Sequence, residues 1–594
     1  MQKLKSDALI ILKKLKQPAN LFLIILLVGL TVFRLVLSAK APYFTNLFAG
    51  YDDQLFIHYS EEILNGNWLG AYSTKTLSKG ISYSLFIVWA NKLHLSYGMF
   101  LGLFNVLACS VATFALRPLV NNRWITTFIY MFFLYSPVTL TSEYSTRIYR
   151  NTLVVPAVVL VIACLVGLYF RRNGKLRSFV FWSLGLSLVF PFYWYIREDS
   201  LWLFPLMIVG LLIIAGSVIF ENVSDFRIKN LRSALKKFYF TRTQLAKLLL
   251  CVLPFVFLYS TTTVLKNINK EHYGIELVND RTGGAFGDVS KQLIRMDDGT
   301  KLNQNNSKVW VSRKALEKAE AASPTLKSIA KNIDWIYQDS PWSGGEDIAG
   351  DIIFWALRDA AAQAGYYKDG QKTEQFWQKV DSELSEAYKN GKLKKKKELY
   401  LTATGDGKLV KDLPLVADFM KSGFSYNVFY KNYSQGANGT LGPKEEIKKA
   451  ETLLRHSFSN NWQDVNAPQN RPIKASKISR ISDSIIKWYQ NLLPLWLLVT
   501  VTGILVIIFG SLFSKEQLKI FRGMLLILLG LVLSYLIFLI GVSWFCSWAP
   551  ERKEMFMMIY TGAGVPVIQW LEVLALVGIL QLPIIAKKLN KKNS

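Results

Sequence analysis

Cysteine and histidine are scarce, four of each in 594 residues, and that scarcity removes whole classes of chemistry at once. A histidine or cysteine metal centre needs clustered ligands, whereas His58, His94, His272 and His456 are scattered along the chain. Cys109, Cys164, Cys251 and Cys546 each fall inside an apolar run, so no disulfide framework organises the polar parts. The Gly-x-x-x-x-Gly-Lys, His-Glu-x-x-His and Cys-x-x-Cys patterns are missing as well, as are internal repeats and long low-complexity segments.

What the chain has is apolar surface. Hydrophobic residues make up 51% and aromatics 14%, with a mean hydropathy of +0.23; together these exceed what a soluble globular protein carries. The formal charge of +28 does not point to nucleic acid, because the lysines and arginines sit beside apolar runs. In that position they orient a membrane protein and attract anionic headgroups.

Runs near the ~20 apolar residues needed to cross a bilayer core fall at about 20–39, 97–116, 124–142, 152–170, 178–196, 200–220, 245–265, 491–513, 523–545 and 564–586. The predicted fold is an all-α polytopic membrane protein with about ten transmembrane helices. The N-terminal basic flank and apolar run lack a small-residue cleavage site and read as an uncleaved anchor. Residues 55–64 and 81–90 are apolar but too short to cross, and read as interfacial helices.

Ten spans place the basic N-terminus, 117–123, 171–177, 227–247, 515–522 and the tail at 587–592 on one side, which the positive-inside rule makes cytoplasmic. Both termini are then inside a plasma membrane. The domains expected are a seven-span module at 1–265, an extracytoplasmic domain at 266–490 between spans seven and eight, and a three-span module at 491–594. The middle region carries helical apolar spacing at 348–358 and 376–384 and is long enough for its own core.

The same register collects charges on one outer rim. Asp52 and Asp53 lie in the first external loop, 40–96, followed by Glu143, Arg147 and Arg150, then Arg197, Glu198 and Asp199, and finally Glu551, Arg552, Lys553 and Glu554. A carboxylate at an interface can take a proton from a sugar hydroxyl, and arginines can hold a departing phosphate through paired hydrogen bonds. Structural readings compete with this one. The acid pair can cap the helix that follows, Arg147 and Arg150 can anchor headgroups, and Arg197, Glu198 and Asp199 can tie two spans together. The outer tryptophans Trp310, Trp335, Trp342, Trp355, Trp377 and Trp462 read as core, with no site assigned.

From Leu21 to about Trp202 the layout resembles the C-type (GT-C) membrane glycosyltransferase superfamily, which includes protein O-mannosyltransferases and lipid A aminoarabinose transferases. The resemblance rests on one span, the acid pair of Tyr51-Asp52-Asp53, a short segment Lys79-Gly80-Ile81-Ser82-Tyr83-Ser84-Leu85, a long helix, a basic inner turn, and Ser136-Pro137 ahead of Ser145-Thr146-Arg147. It implies that Asp52 or Asp53 is the catalytic base or a metal ligand, and that Arg552 faces the phosphate. Family members often carry a proline where Ile81 stands and an acid near Asn151.

The expected function is transfer of a sugar from a polyprenyl-phosphate donor to an envelope glycan, a teichoic-acid-like polymer or a protein. The expected residues are Asp52 and Asp53 for catalysis, Arg147, Arg150, Arg197 and Arg552 for the donor phosphate, and Glu143, Glu198 and Asp199 as further acids. If Asp52 and Asp53 both ligate a metal, Mg or Mn suits their oxygens. The rivals are a polysaccharide polymerase or ligase using a lipid-diphosphate glycan, and a transporter or flippase with charges buried at mid-membrane.

Overall fold

The computed structural model describes residues 18–220, 241–300, 303–304, 307–338, 341–343, 345–436, 438–458, 461–462, 476–513 and 518–593, with side chains to 585 in the last stretch. The basic N-terminal residues, 227–240, 515–517 and the side chains of the tail lie outside it.

Long apolar runs become helices because the backbone has no other way to satisfy its polar groups in lipid. Among the described residues, nine helices are long and apolar enough to cross a bilayer, so this is a multi-pass, all-α membrane protein. Helices of eight residues or more are numbered in chain order. The first nine are α1 Pro18–Ala39, α2 Asp53–Leu64, α3 Ser82–Lys92, α4 Tyr97–Ala115, α5 Arg123–Leu134, α6 Asn151–Arg171, α7 Leu176–Trp194, α8 Phe204–Ile219 and α9 Arg242–Tyr273. There follow α10 Gly284–Arg295, α11 Arg313–Ala322, α12 Ala330–Gln338, α13 Ile352–Gln363, α14 Gly370–Lys389, α15 Leu413–Val428, α16 Lys444–Leu454, α17 Lys477–Leu512, α18 Lys519–Cys546, α19 Lys553–Thr561 and α20 Val565–Asn593.

The expected third span does not form as one helix. Regular α5 covers 12 residues, about 18 Å of rise against a hydrocarbon core of about 30 Å, and the chain then turns through Pro137–Thr139 and Ser142–Ser145. Pro137 opens that turn and cannot continue the helix, and the carbonyls left free are taken up by Arg34, buried in α1. Its Nε donates to the Leu134 carbonyl at 3.1 Å and its Nη2 to that of Thr139 at 3.0 Å, holding the carbonyls that a continued helix would have turned inward on itself. The segment still runs the length of α1, since Arg123 bonds Asn20 at one end and Ile148 N bonds the Phe44 carbonyl at 2.8 Å beyond the other.

Helix α6 is the hub. Its residues from Asn151 to Tyr169 are buried without interruption, as expected of a helix that is apolar on all sides and wrapped by others. Helices α9 and α17, at 32 and 36 residues, measure about 48 and 54 Å, so each outreaches the hydrocarbon and continues into the segment between them.

The segment between α9 and α17 is two units. Residues 285–393 enclose their own core around Trp310, Val380 and Trp377, closed by Trp548 and Ala549. The later part joins the membrane core through Phe419, Tyr426, Tyr430 and Leu453. Helix α15 runs beside α18: a Cβ on Gly423 would come 2.7 Å from Leu539, and Asn427 donates to the Tyr535 hydroxyl at 3.2 Å. Helices α2 and α3 form at the two short apolar segments and pack on each other through Ser60 and Ser84.

Candidate active site

The acid pair sits at the start of α2, and its two members face different ways. Asp52 occupies the N-cap position but makes no side-chain cap hydrogen bond, so capping does not explain it. Asp53 has no exposed surface. Arg147 donates to it through Nη2 at 2.8 Å and Nε at 3.2 Å, and Asn46 N donates to its other oxygen at 2.9 Å. Burial pushes the Asp53 carboxyl up, and the Arg147 guanidinium and the Asn46 amide oppose it. Both oxygens accept from protein donors, so Asp53 is engaged in holding Arg147.

Asp52 is 45% exposed. Its Oδ1 lies 3.2 Å from Lys79 Nζ and accepts from the Tyr149 hydroxyl at 3.1 Å. The surrounding protein alone would push this carboxyl up, but Lys79, Arg150 and Arg147 outweigh that and hold it down at about 2. It is a partly exposed carboxylate flanked by cations.

The remaining cations are each tied to an acid. Arg150 Nη1 donates to Glu198 Oε2 at 2.6 Å, and Glu198 Oε1 accepts from Gly80 N at 3.0 Å. Burial would raise the Glu198 carboxyl, yet Arg150 and Lys79 bring it to about 2. Gly80 is required here, because a Cβ would meet the Tyr195 carbonyl oxygen at 2.3 Å. Arg197 binds Asp199 through Nε at 2.8 Å and reaches Asn151 Oδ1 at 3.2 Å through Nη1. Glu143 stands 3.9 Å from Arg147, and burial pushes its carboxyl up. Arg150 Nε is buried with no hydrogen-bond partner, an unspent donor beside Asp52.

Asp52, Asp53, Glu143, Arg147, Arg150 and Glu198 are therefore joined in one network, with Arg197 and Asp199 beside it. Arg552 is not part of it: 55% exposed, it has Glu551 as its acidic neighbour at 3.8 Å.

Several residues that the sequence did not single out belong to the site. Lys79 lies 5.3 Å from the ring of Trp355, which Arg281 covers on α13 at 4.2 Å while pairing with Asp351 at 3.3 Å. Tyr560 of α19 lies 5.7 Å from the Arg197 guanidinium and within electrostatic reach of Tyr149, Asp52 and Asp351. Residues 40–96, the segment between α9 and α17 and the C-terminal module thus each bring residues to the site. Lys79 opens the short segment quoted above for the family resemblance, and its signal was position alone. Trp355 is half-buried, whereas Trp310 and Trp377 are core.

A Mg or Mn ion shared by Asp52 and Asp53 does not fit this donor set, since Arg147 and Asn46 occupy Asp53 and the two carboxylates face different partners. Among the described residues there is no group of three or more His, Cys, Asp or Glu placed to hold a metal ion. No protein-family model, curated protein or solved structure matches this chain.

Proposed function

We propose that this chain is a membrane glycosyltransferase of C-type layout that moves a sugar from a polyprenyl-phosphate donor to a hydroxyl of an extracytoplasmic acceptor such as an envelope glycan. The observation that carries the reading is Asp52: an open carboxylate ringed by Lys79, Arg147 and Arg150, beside the unspent Arg150 Nε.

In this reaction the acceptor hydroxyl gives its proton to Asp52 while its oxygen bonds to the anomeric carbon. The bond from that carbon to the phosphate oxygen breaks, and its electron pair stays on the phosphate. A carboxylate held at about 2 is a weak base at rest. A donor phosphate drawn to Lys79 and Arg150 shares their charge, releases Asp52 from it, and lets the carboxyl rise toward its ordinary range. Donor binding therefore prepares the base. The site lies at the helix ends opposite Arg117, Arg123, Arg171 and Arg172. With those basic ends cytoplasmic, the site and 266–490 are outside a plasma membrane, on the leaflet where the donor lipid would present its sugar.

The test supplies membranes containing the full chain with a labelled polyprenyl-monophosphate sugar and an envelope-glycan acceptor. Transfer by the parent and its loss in Asp52→Asn, with folded protein unchanged, supports the reading. Transfer only from a lipid-diphosphate glycan makes the protein a polymerase or ligase, and movement of intact lipid-linked glycan without bond cleavage makes it a transporter.

A further inference from the structure

Two consecutive residues of α13 hold opposite sides of the Asp52–Lys79 pair. Arg358 has no exposed surface. Its Nε donates to the Thr74 carbonyl at 2.9 Å, its Nη2 reaches that of Thr76 at 3.4 Å, and its Nη1 lies 2.6 Å from Asp280. Asp280 N in turn donates to the Leu77 carbonyl at 3.0 Å. Three carbonyls just ahead of Lys79 are thus fixed from the segment between α9 and α17. Leu77 has a φ of 57°, a left-handed conformation that a leucine keeps only where its surroundings over-determine it.

The next residue, Asp359, works on the other partner. Its Oδ1 accepts from the Tyr51 hydroxyl at 2.6 Å and its Oδ2 from Trp342 Nε1 at 3.0 Å. Tyr51 immediately precedes Asp52 and packs 4.5 Å from the ring of Trp355. One helical turn therefore grips the chain before Asp52 and the chain before Lys79 together.

We propose that Arg358 and Asp359 are positioning residues through which that segment sets the Asp52–Lys79 geometry, so that 285–393 is a working part of the site and not a cover over it. The inference rests on Asp52 as the reactive carboxylate. An arginine suits the task because its planar fork holds two carbonyls and a carboxylate at once, which a lysine cannot.

The test is carbodiimide labelling of Asp52, read by peptide mass spectrometry on the full chain in lipid nanodiscs at pH 5. Carbodiimides take the protonated acid, so each unit by which Asp52 loses its cationic hold raises labelling about tenfold. Lys79→Met sets the upper limit. Arg358→Lys is expected to give at least a tenfold rise, with some loss of thermal stability from its buried pair with Asp280, and Tyr51→Phe a smaller rise with thermal unfolding little changed. Should Arg358→Lys fail to fold, Tyr51→Phe decides, since it removes a single hydroxyl. Parental labelling in the folded variants while Lys79→Met labels strongly overturns the clamp, and so does parental labelling in Lys79→Met. The measurement needs no donor or acceptor. A labelling shift in a protein that transfers no sugar leaves the clamp standing and removes the transferase reading, and the opposite result does the reverse.

Discussion

Asp53, which has no exposed surface, pairs with the largely buried Arg147 at 2.8 Å, and the neighbouring Asp52 is left partly exposed beside Lys79. One acid of the pair builds the site and the other is available to act in it.

That division predicts different failures. Asp53→Asn leaves the Arg147 charge poorly matched in a buried position, and breaking such a pair typically costs about 3–5 kcal/mol. The amount of folded protein in detergent, followed by size exclusion and thermal unfolding, is expected to fall. Asp52→Asn, at a partly exposed position, is expected to lower both less than Asp53→Asn does, while transfer drops by ~10²-fold or more. Equal stability of the two variants would remove the distinction.

The four arginines should also separate. Arg147→Lys loses the paired hydrogen bonds to Asp53 and is expected to resemble Asp53→Asn in yield. Arg150→Lys loses the Nε donor and is expected to raise the KM for donor more than it lowers the yield. Arg552→Lys, at an exposed position away from the network, is expected to keep parental kinetics. Donor titrations at saturating acceptor, with protein quantified by blot, check all three.

The low position of Asp52 fixes the sign of a pH effect. A carboxyl depressed to about 2 in the folded chain, against ~3.9 unfolded, favours folding above about pH 4, and that contribution is lost as pH falls through 2. Removing Lys79 with Lys79→Met lifts the carboxyl toward its ordinary range. The acid limb of the transfer rate is then expected to move up by roughly 1 pH unit or more, and an unmoved limb would assign it to another group.

Sidedness can be read with the native cysteines in place, because all four are buried. A cysteine at Asn390, exposed after α14, is expected to react with an impermeant thiol reagent outside intact cells. One at Asn173, exposed after α6, is expected to react only after permeabilisation. Labelling of Asn173 from outside would invert the topology and move the site to the cytoplasm.

Nine of the spans were legible because ~20 apolar residues in a row leave little choice. The third was read as one helix although Pro137 inside it marks a stop, and the residue that takes up the freed Leu134 carbonyl, Arg34, stands a hundred positions earlier. The acid pair and most of its arginines were legible as a charged rim, whereas the roles of Asp52 and Asp53 depend on which of them Arg147 reaches across 94 residues. Lys79, Tyr149 and Tyr560 come from three separate stretches and carry no shared motif. Trp355 was read as core because its neighbours on α13 are apolar, and only the approach of Lys79 and Arg281 brings it into the site. Arg34 and Glu572 are charged groups buried within spans, and the Glu572 carboxyl makes no close hydrogen bond but has the Trp496 indole within reach.

Arg34 also imposes an order on assembly. Helix α1 leaves the ribosome with a guanidinium whose carbonyl partners, at Leu134 and Thr139, are 100 and 105 residues behind it. At synthesis rates of about 5–20 residues per second, they arrive roughly 5–20 s later. Until then the arginine, near the end of α1, carries a cost below the about 2.5–3.5 kcal/mol of a helix centre, so the nascent helix would sit shallow, tilt, or stay beside the insertion machinery. Its final depth is decided by a partner that is not yet made.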